Sequence, residues 1–202
     1  MDYFPTAYAL TMKHEGFFST DKDDPGGMTW KGIARNRHPS WAGWHVVDDV
    51  RGVPPKLDNQ QVTVILNANQ ELEVQVMSFY RSQFWETIWG DRLGEHSPDI
   101  SIDMFDLAVN LGVGRAVTFL QESLNALNRN GYAWADILED GAFGNKTMGA
   151  FLACMGDHKT GERKLYKLVN ISQGAWYKEL MRSNPARFEK YIGWFDRVDF
   201  MS

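Results

Sequence analysis

The chain has 202 residues, of which 44% are hydrophobic and 23% charged, and its formal net charge at pH 7 is −5. This length suits one domain or one domain with a small addition, and the hydrophobic content is too high for a disordered chain. A nucleic-acid-binding protein would need a basic stripe, which the negative charge balance argues against. We therefore expect no nucleic-acid partner.

The sequence offers few groups for metal or redox chemistry. Cys154 is the only cysteine, so no internal disulfide can form, and its apolar neighbours indicate a buried structural thiol. The five histidines show no paired ligand spacing, and Gly112 and Gly114 lack the strand and lysine of a phosphate-binding loop. We expect no metal site and no cofactor.

No stretch of the sequence approaches the roughly 18 uninterrupted apolar residues that a membrane span requires. The first residues, MDYFPTAYALTMKHE, lack the basic start and the long apolar core of a secretory signal peptide. We therefore expect a protein made in the cytoplasm, without stable membrane insertion. If it acts outside the cytoplasm, another agent must release it.

The first half of the chain is predicted to alternate between helix and irregular structure. A 3.6-residue apolar period predicts a helix from about Phe4 to Met12, which Gly16 ends. Residues 17–34 are predicted to be a loop with room for a short hairpin, and the irregular part continues through residues 41–44. Helix then resumes, in one or two pieces, from a capping-box pattern at Asp58 as far as Trp85.

The second half is predicted to be almost entirely helical. Ser97 starts a helix with one apolar stripe, Gly112 and Gly114 interrupt it, and a second stripe follows. The further predicted elements are a turn at Asp140-Gly141, helices at about 145–155 and 160–182, and a last helix after Asn184-Pro185. The sequence therefore predicts a mainly α fold with little β structure.

The stretch HEGFFSTDKDDPGGMTWKGIA, residues 14–34, contains two acidic residues in contrasting surroundings. Glu15 lies at a helix C-terminus, where unpaired carbonyls disfavour a carboxylate, and burial against Phe17 or Phe18 would raise its pKa further. Asp24 lies in a polar, Gly-rich loop whose N–H groups can keep it ionised. Two carboxyl groups with separated pKa values suit glycoside hydrolysis. The simpler alternative is a solvated helix end followed by an ordinary turn.

The same stretch resembles known catalytic motifs. The order Glu15, Asp24, Thr29 is similar to the Glu-Asp-Thr arrangement of phage-type lysozymes, and the signature of glycoside hydrolase family 108 resembles EGFFSTDKDDPGGMTWKGI. Later blocks of that family resemble FWETIWGDRL and MFDLAVNLGVGRAVTFLQESLNAL, and its C-terminal peptidoglycan-binding region resembles DGAFGNKTMGAF and GWFDRV. Where the family has Gly-Gly-Tyr, this chain has Gly16-Phe17-Phe18, which keeps an aromatic ring but removes a hydroxyl.

The resemblance implies an α+β lysozyme-like fold, a helical bundle with a small loop or β-hairpin region that carries the active site. It implies hydrolysis of the β-1,4 bond between N-acetylmuramic acid and N-acetylglucosamine in bacterial peptidoglycan, as in phage-mediated host lysis. Glu15 would protonate the glycosidic oxygen. Asp24 and Thr29 would stabilise the developing charge or position a water, and Asp24 could instead form a covalent adduct.

The resemblance also implies a division of the chain and a place of action. Residues 1–103 would form the catalytic region, and residues 104–202 a helical peptidoglycan-binding region. The long apolar stripes of the C-terminal helices, and the lack of a flexible linker in the sequence, predict that this region packs against the catalytic region. The expected partner is bacterial peptidoglycan, which a monomer would reach at the cell wall or periplasm after release from the host cytoplasm.

Candidate substrate-binding residues are of two kinds, aromatic rings that can stack on sugars and polar side chains that share one helix face. They are Phe18, Trp30, Trp41, Trp44, Asp106 and Asn110. Each has a structural alternative, because the rings could belong to the core, and the two polar residues could hold the catalytic loop or cap the Gly112 turn.

Two other functions remain open at this point. A lytic transglycosylase also uses one acid but produces an anhydro sugar, so its product differs by one water. A non-catalytic wall-binding or secretion-associated protein could keep the same fold without cleaving the glycan.

Overall fold

The structure is a computed structural model of the 202-residue chain. It describes residues 1–13, 17–20, 26–157, 159, 161–185 and 192–198. This described part consists mainly of helices and contains one two-stranded antiparallel hairpin. The predicted mainly α fold class, with a small hairpin region, is confirmed.

The chain forms two compact units. The N-terminal unit comprises residues 5–83, and the C-terminal unit comprises residues 1–4 together with residues 84–202. The first four residues therefore pack with the C-terminal unit. Phe4 contacts both Trp85 and Phe105 edge-on, with ring centroids 5.7 Å apart in each pair.

Four α-helices and two β-strands begin in the described part of the first 83 residues. They are α1 (Phe4–Thr11), β1 (Thr29–Trp30), β2 (Ile33–Ala34), α2 (Trp44–Gly52), α3 (Asn59–Asn67) and α4 (Gln70–Tyr80). The predicted capping box starts α3, since Asp58 accepts from the Gln61 N–H at 2.8 Å and its own N–H donates to the Gln61 side chain at 3.0 Å. Helix α1 is also confirmed, whereas α2 was not predicted.

The helical segment predicted up to Trp85 is divided at two places. Asn69 separates α3 from α4 because its side chain accepts from the Leu72 N–H at 2.9 Å, as an N-cap residue does. At its other end, α4 continues into a π-helical turn over Arg81–Trp85. This turn places the Trp85 indole in the core of the C-terminal unit, where its N–H donates to Asp91 at 2.9 Å.

The C-terminal unit is built from five α-helices and a short 3₁₀ helix in its described part. They are α5 (Gly90–Gly94), α6 (Pro98–Leu111), α7 (Val113–Leu127), α8 (Asn145–Gly156), α9 (Gly161–Ser183) and the 3₁₀ helix Ile192–Arg197. The predicted start at Ser97 is confirmed, because its hydroxyl accepts from the Ile100 N–H at 3.1 Å. The predicted break at Gly112 is also confirmed, with a φ of 87° between α6 and α7.

Helix α7 forms the centre of this unit and packs on α6, α8 and α9. Its stripe of Val117, Leu120 and Leu124 is fully buried. Cys154 is buried in α8, as the sequence predicted. Part of the last predicted helix falls on residues 186–191, which lie outside the described residues, and residues 192–197 are 3₁₀ rather than α.

Candidate active site

Thr29, one of the predicted catalytic residues, is held by backbone pairing with Ser19. The Ser19 N–H donates to the Thr29 carbonyl at 3.0 Å, and the Thr29 N–H donates to the Ser19 carbonyl at 2.9 Å. This bridge joins the two ends of the segment that contains Asp24. Glu15 and Asp24 themselves lie outside the described residues, so their predicted roles stay predictions.

The strand that begins at Thr29 turns back immediately in a tight hairpin. Trp30 pairs with Ile33, which leaves Lys31 and Gly32 as the two turn residues, with φ values of 43° and 79°. Positive φ at both central positions is typical of the type I′ turn, whose twist matches that of the flanking strands. The Lys31-Gly32 pair therefore sets the direction in which β2 returns along β1.

The hairpin turn is fastened to helices α1 and α4. The Lys31 ammonium contacts the Glu73 carboxylate at 2.5 Å, and the Tyr80 hydroxyl donates to the Lys31 carbonyl at 2.7 Å. The Tyr8 hydroxyl also donates to Glu73, at 2.7 Å. Burial of the phenol has the largest effect in raising the pKa of Tyr8, and its hydrogen bond to Glu73 has the next largest. The phenol therefore keeps the proton that it donates.

The end of the loop before Thr29 depends on a glycine. The Gly26 carbonyl accepts from the Asn36 N–H at 3.1 Å, and the Met28 carbonyl accepts from the Arg35 N–H at 2.8 Å. Between them, Gly27 has a φ of 68°, and a Cβ atom there would lie 2.8 Å from the Asn36 side-chain nitrogen. Both the backbone conformation and the available space therefore favour glycine at this position.

We expect Gly27→Ala to lower the free energy of unfolding by about 1–3 kcal/mol, since alanine at positive φ is strained and its methyl group meets Asn36. Chemical denaturation measures this change. Gly52→Ala is the matched control, because a Cβ at the end of α2 would meet nothing within 4 Å. Equal stability of the two variants would contradict the constraint on Gly27.

The four predicted sugar-stacking rings differ in exposure. Trp30, Trp44 and Phe18 are 1%, 3% and 5% exposed, whereas Trp41 is partly exposed. Trp41 meets the Trp44 ring edge-on at 5.2 Å, and the Trp44 N–H donates to the His38 carbonyl at 2.8 Å. Stacking on a sugar requires an exposed ring face. Among these four rings, Trp41 therefore has the exposure that stacking requires, whereas the other three are buried.

A surface pocket of about 370 Å³ lies beside Phe18 in the N-terminal unit. Its lining consists of Phe17, Phe18, Asn59, Gln60, Thr63 and Val64. Phe17 is 68% exposed, and the side-chain amides of Asn59 and Gln60 lie at the same pocket. An open aromatic ring beside amides can bind an N-acetylated sugar, yet sequence reasoning had not selected these polar residues. The capping-box pattern at the start of α3 predicts that Asn59 and Gln60 belong to a helix, but it does not predict which residues their side chains lie beside.

Asp106 and Asn110 lie in the C-terminal unit and contact elements near the end of the chain. The Arg197 guanidinium donates to Asp106 at 3.0 Å, and the Asn110 amide donates to the Tyr177 hydroxyl. The Gln173 amide donates to the same hydroxyl at 2.9 Å, and burial raises the pKa of Tyr177 to about 12. These contacts join α6 to α9 and to the 3₁₀ helix. A role in binding substrate stays a prediction for both residues.

Comparison with known proteins identifies the family. The model of the family described as Glycosyl hydrolase 108 matches residues 8–112, more than half of the chain. The chain belongs to glycosyl hydrolase family 108. A second model, described as Predicted Peptidoglycan domain, matches residues 115–199. The resemblance drawn from the sequence is thereby confirmed, and the family 108 chain is a glycoside hydrolase that acts on peptidoglycan and carries a peptidoglycan-binding domain.

The fold of this family 108 protein is shared with a solved structure described as that of Brucella abortus SagA. The two superpose with a TM-score of 0.57 at 24% sequence identity, over 96% of this chain and 88% of that chain. No curated protein sequence matches the chain significantly. The predicted division of the family 108 protein at residues 103 and 104, and the packing of the two regions, stay predictions.

The described residues contain neither a candidate metal-binding group nor a candidate membrane-spanning helix. Within the described ranges, no group of three or more His, Cys, Asp or Glu side chains could bind a metal ion. No helix in the same ranges is long and apolar enough to cross a membrane.

Proposed function

We propose that this family 108 protein hydrolyses the β-1,4 bond between N-acetylmuramic acid and N-acetylglucosamine, with Glu15 as the general acid. The observation that carries the proposal is the family match over residues 8–112, which includes Glu15, Asp24 and Thr29 in the stretch that resembles the family signature. A protein of this family with these three residues in this order has the groups that glycoside hydrolysis needs.

In the proposed reaction, Glu15 donates its proton to the glycosidic oxygen while the bond to the sugar carbon breaks. The developing oxocarbenium-like charge is stabilised by Asp24, which either positions an attacking water or bonds to the sugar carbon. The backbone N–H and carbonyl of Thr29 are both paired with Ser19, which leaves the hydroxyl to act on substrate or water. That hydroxyl donates to the Gly27 carbonyl at 3.3 Å, a long bond that substrate could replace.

We expect Asp24→Ala and Thr29→Ala each to reduce the turnover of purified peptidoglycan strongly, by at least about tenfold, since each removes a group that acts on the reacting sugar or water. Release of reducing ends measures the rate. Asp49→Ala and Thr87→Ala are matched controls, because both residues are exposed and lie outside the proposed site. Normal turnover in the Asp24 and Thr29 variants would exclude their proposed roles.

A fluorinated sugar separates the two roles of Asp24. If Asp24 forms a covalent adduct, the fluorinated substrate should label it, and the product should retain its anomeric configuration. If Asp24 positions water, no adduct forms and the anomer is inverted.

The biological role we propose is that of a phage-type endolysin that acts as a monomer. It would be made in the cytoplasm of a bacterial host and reach the wall or periplasm after release. Cys154 is the only cysteine in the sequence and is buried, so the fold contains no internal disulfide, which is compatible with folding in a reducing compartment. Cytoplasmic expression should lyse cells only when the inner membrane is permeabilised separately. Lysis without permeabilisation would contradict the need for release.

A further inference from the structure

The C-terminal unit contains an open pocket of about 320 Å³ between the start of α7 and the loop that precedes α8. Leu111, Gly112, Gly114, Arg115, Thr118, Asp140 and Gly141 line it. The pocket thus brings together one cationic and one anionic side chain that are 25 residues apart in sequence. These two charged side chains have no role in the proposed reaction and do not belong to the core of the unit.

The cationic group is held in place by an aromatic ring. The guanidinium carbon of Arg115 lies 3.6 Å from the centroid of the Trp176 ring, which belongs to α9. Stacking of this kind orients a guanidinium while its N–H groups stay available, and the planar arrangement of these donors suits a carboxylate. Arg115 is exposed and forms no ion pair within 4.0 Å in the described part of the chain.

The anionic group is also fixed. Asp140 accepts from the Ala142 N–H at 2.9 Å and from the Gln121 amide at 3.0 Å, and these bonds hold the pKa of Asp140 below its usual range. Gln121 is 1% exposed and also accepts from the Gly141 N–H at 2.9 Å. A buried amide therefore orients the loop so that Asp140 remains charged at the pocket.

The two sides of the pocket approach each other closely because the loop has a glycine, Gly141, where it meets α7. A Cβ on Gly141, whose φ is 71°, would lie 2.7 Å from the Gly114 carbonyl and 3.1 Å from the Thr118 hydroxyl. That hydroxyl donates to the same carbonyl at 2.9 Å. The loop can therefore lie directly against the first turn of α7, which brings Asp140 to the same pocket as Arg115.

We propose that this pocket binds the free α-amino acid end of a diamino acid in a peptidoglycan stem peptide, with its carboxylate on Arg115 and its ammonium on Asp140. The proposal rests on the proposed function, because it takes peptidoglycan as the ligand. The glycan strands offer few charges, whereas an uncrosslinked diaminopimelate side chain carries both charges on one carbon. A lysine side chain offers an ammonium alone and leaves Arg115 without its partner.

Two other charged groups act on this pair without lining the pocket. Glu122 interacts electrostatically with Arg115, and Lys146 interacts with Asp140. Each pocket charge therefore already interacts with one opposite charge, so a ligand that carries both signs adds no net charge to the neighbourhood. A singly charged ligand would upset this balance.

Titration calorimetry on the full chain tests the proposal with the tripeptide L-Ala-γ-D-Glu-meso-diaminopimelate. We expect it to bind at least about tenfold more tightly than either the lysine tripeptide or the same peptide acetylated on the free side-chain amine of its diaminopimelate, the factor expected for one charge-assisted hydrogen bond. Equal affinity for the three peptides, or no binding of the first, would overturn the proposal.

Substitutions test whether Arg115 and Asp140 bind the two charges of the ligand. Arg115→Gln and Asp140→Asn should each weaken binding of the diaminopimelate tripeptide at least about tenfold, since asparagine keeps an acceptor for Gln121 and Ala142 but removes the charge. Arg92→Gln is the matched control, because Arg92 also lies over a tryptophan ring, Trp89 at 4.5 Å, but does not line the pocket. Unchanged affinity in the two pocket variants, with thermal unfolding showing that they fold, would overturn the assignment.

Hydrolysis of peptide-free glycan strands separates this proposal from the proposed function. The pocket variants should cleave such strands at the wild-type rate, because the strands lack the group that the pocket binds. If the wild type cleaves the strands but does not bind the tripeptide, the pocket proposal fails and the proposed function stands. If it binds the tripeptide but cleaves no glycan, the proposed function fails and the peptide site stands.

Discussion

Glu15→Gln should reduce peptidoglycan hydrolysis by a factor on the order of 10² or more while the protein stays folded. The amide nearly matches the carboxyl group in shape but cannot give a proton to the glycosidic oxygen. The rate of reducing-end release measures activity, and circular dichroism with thermal unfolding measures folding. The effect should be among the largest of any single substitution, because no other group in the proposed mechanism supplies that proton.

A control at another acidic residue makes this result specific. Glu95 is exposed and follows α5 in the C-terminal unit, so Glu95→Gln should retain wild-type activity. Normal turnover in the Glu15→Gln protein would show that Glu15 is not the acid. The non-catalytic wall-binding alternative would then gain support if the wild type were also inactive.

Truncation after Asn130 should give an insoluble or unfolded protein. The fragment keeps α7 but loses α8 and α9, which pack on it. Val117, Leu120 and Leu124, all fully buried in the complete chain, would then lose part of their cover, and an uncovered apolar surface of this kind favours aggregation. Solubility on expression and the cooperativity of thermal unfolding measure the outcome.

A pair of leucine substitutions tests the same packing in the full chain. Leu120→Ala removes a fully buried side chain and should cost about 2–5 kcal/mol of the free energy of unfolding. Leu138, which is 73% exposed, is its control, and Leu138→Ala should change stability by about 0.5 kcal/mol or less. A soluble fragment 1–130 with full hydrolase activity would show instead that the end of the chain is an independent binding module.

The helices that could be predicted are those whose ends are marked by local chemistry. Asp58 and Ser97 cap α3 and α6 with their own side chains, and Gly112 breaks the chain between α6 and α7. These signals need no knowledge of the rest of the chain. The mainly α fold class followed from such signals together with the apolar period.

The elements that were missed depend on contacts distant in sequence. Helix α2 has no side-chain cap at Gly43, and its residue Asp48 accepts from Arg35 in two bonds of 2.5 and 2.7 Å. The π-helical turn that ends at Trp85 is stabilised by burial of that indole, which a period of apolar residues does not indicate. Tertiary packing outweighs local preference in both places.

The candidate site could be predicted only in part, because the exposure and packing of its residues also depend on contacts distant in sequence. The motif with Thr29 was visible as a stretch of sequence, and the Lys31-Gly32 turn lay within the predicted hairpin region. Exposure could not be inferred, and the burial of Trp30 and Trp44 distinguishes them from Trp41 only in three dimensions. The presence of Arg115 and Asp140 at the same pocket likewise depends on how the loop before α8 packs on α7.

Mass spectrometry of the products released from purified peptidoglycan tests the proposed function most directly. Hydrolysis between N-acetylmuramic acid and N-acetylglucosamine should give muropeptides with a reducing N-acetylmuramic acid end, each carrying one added water per bond cleaved. Products lighter by one water, with an anhydro sugar at that end, would show a lytic transglycosylase. Reducing N-acetylglucosamine ends, or an intact glycan, would equally contradict a muramidase.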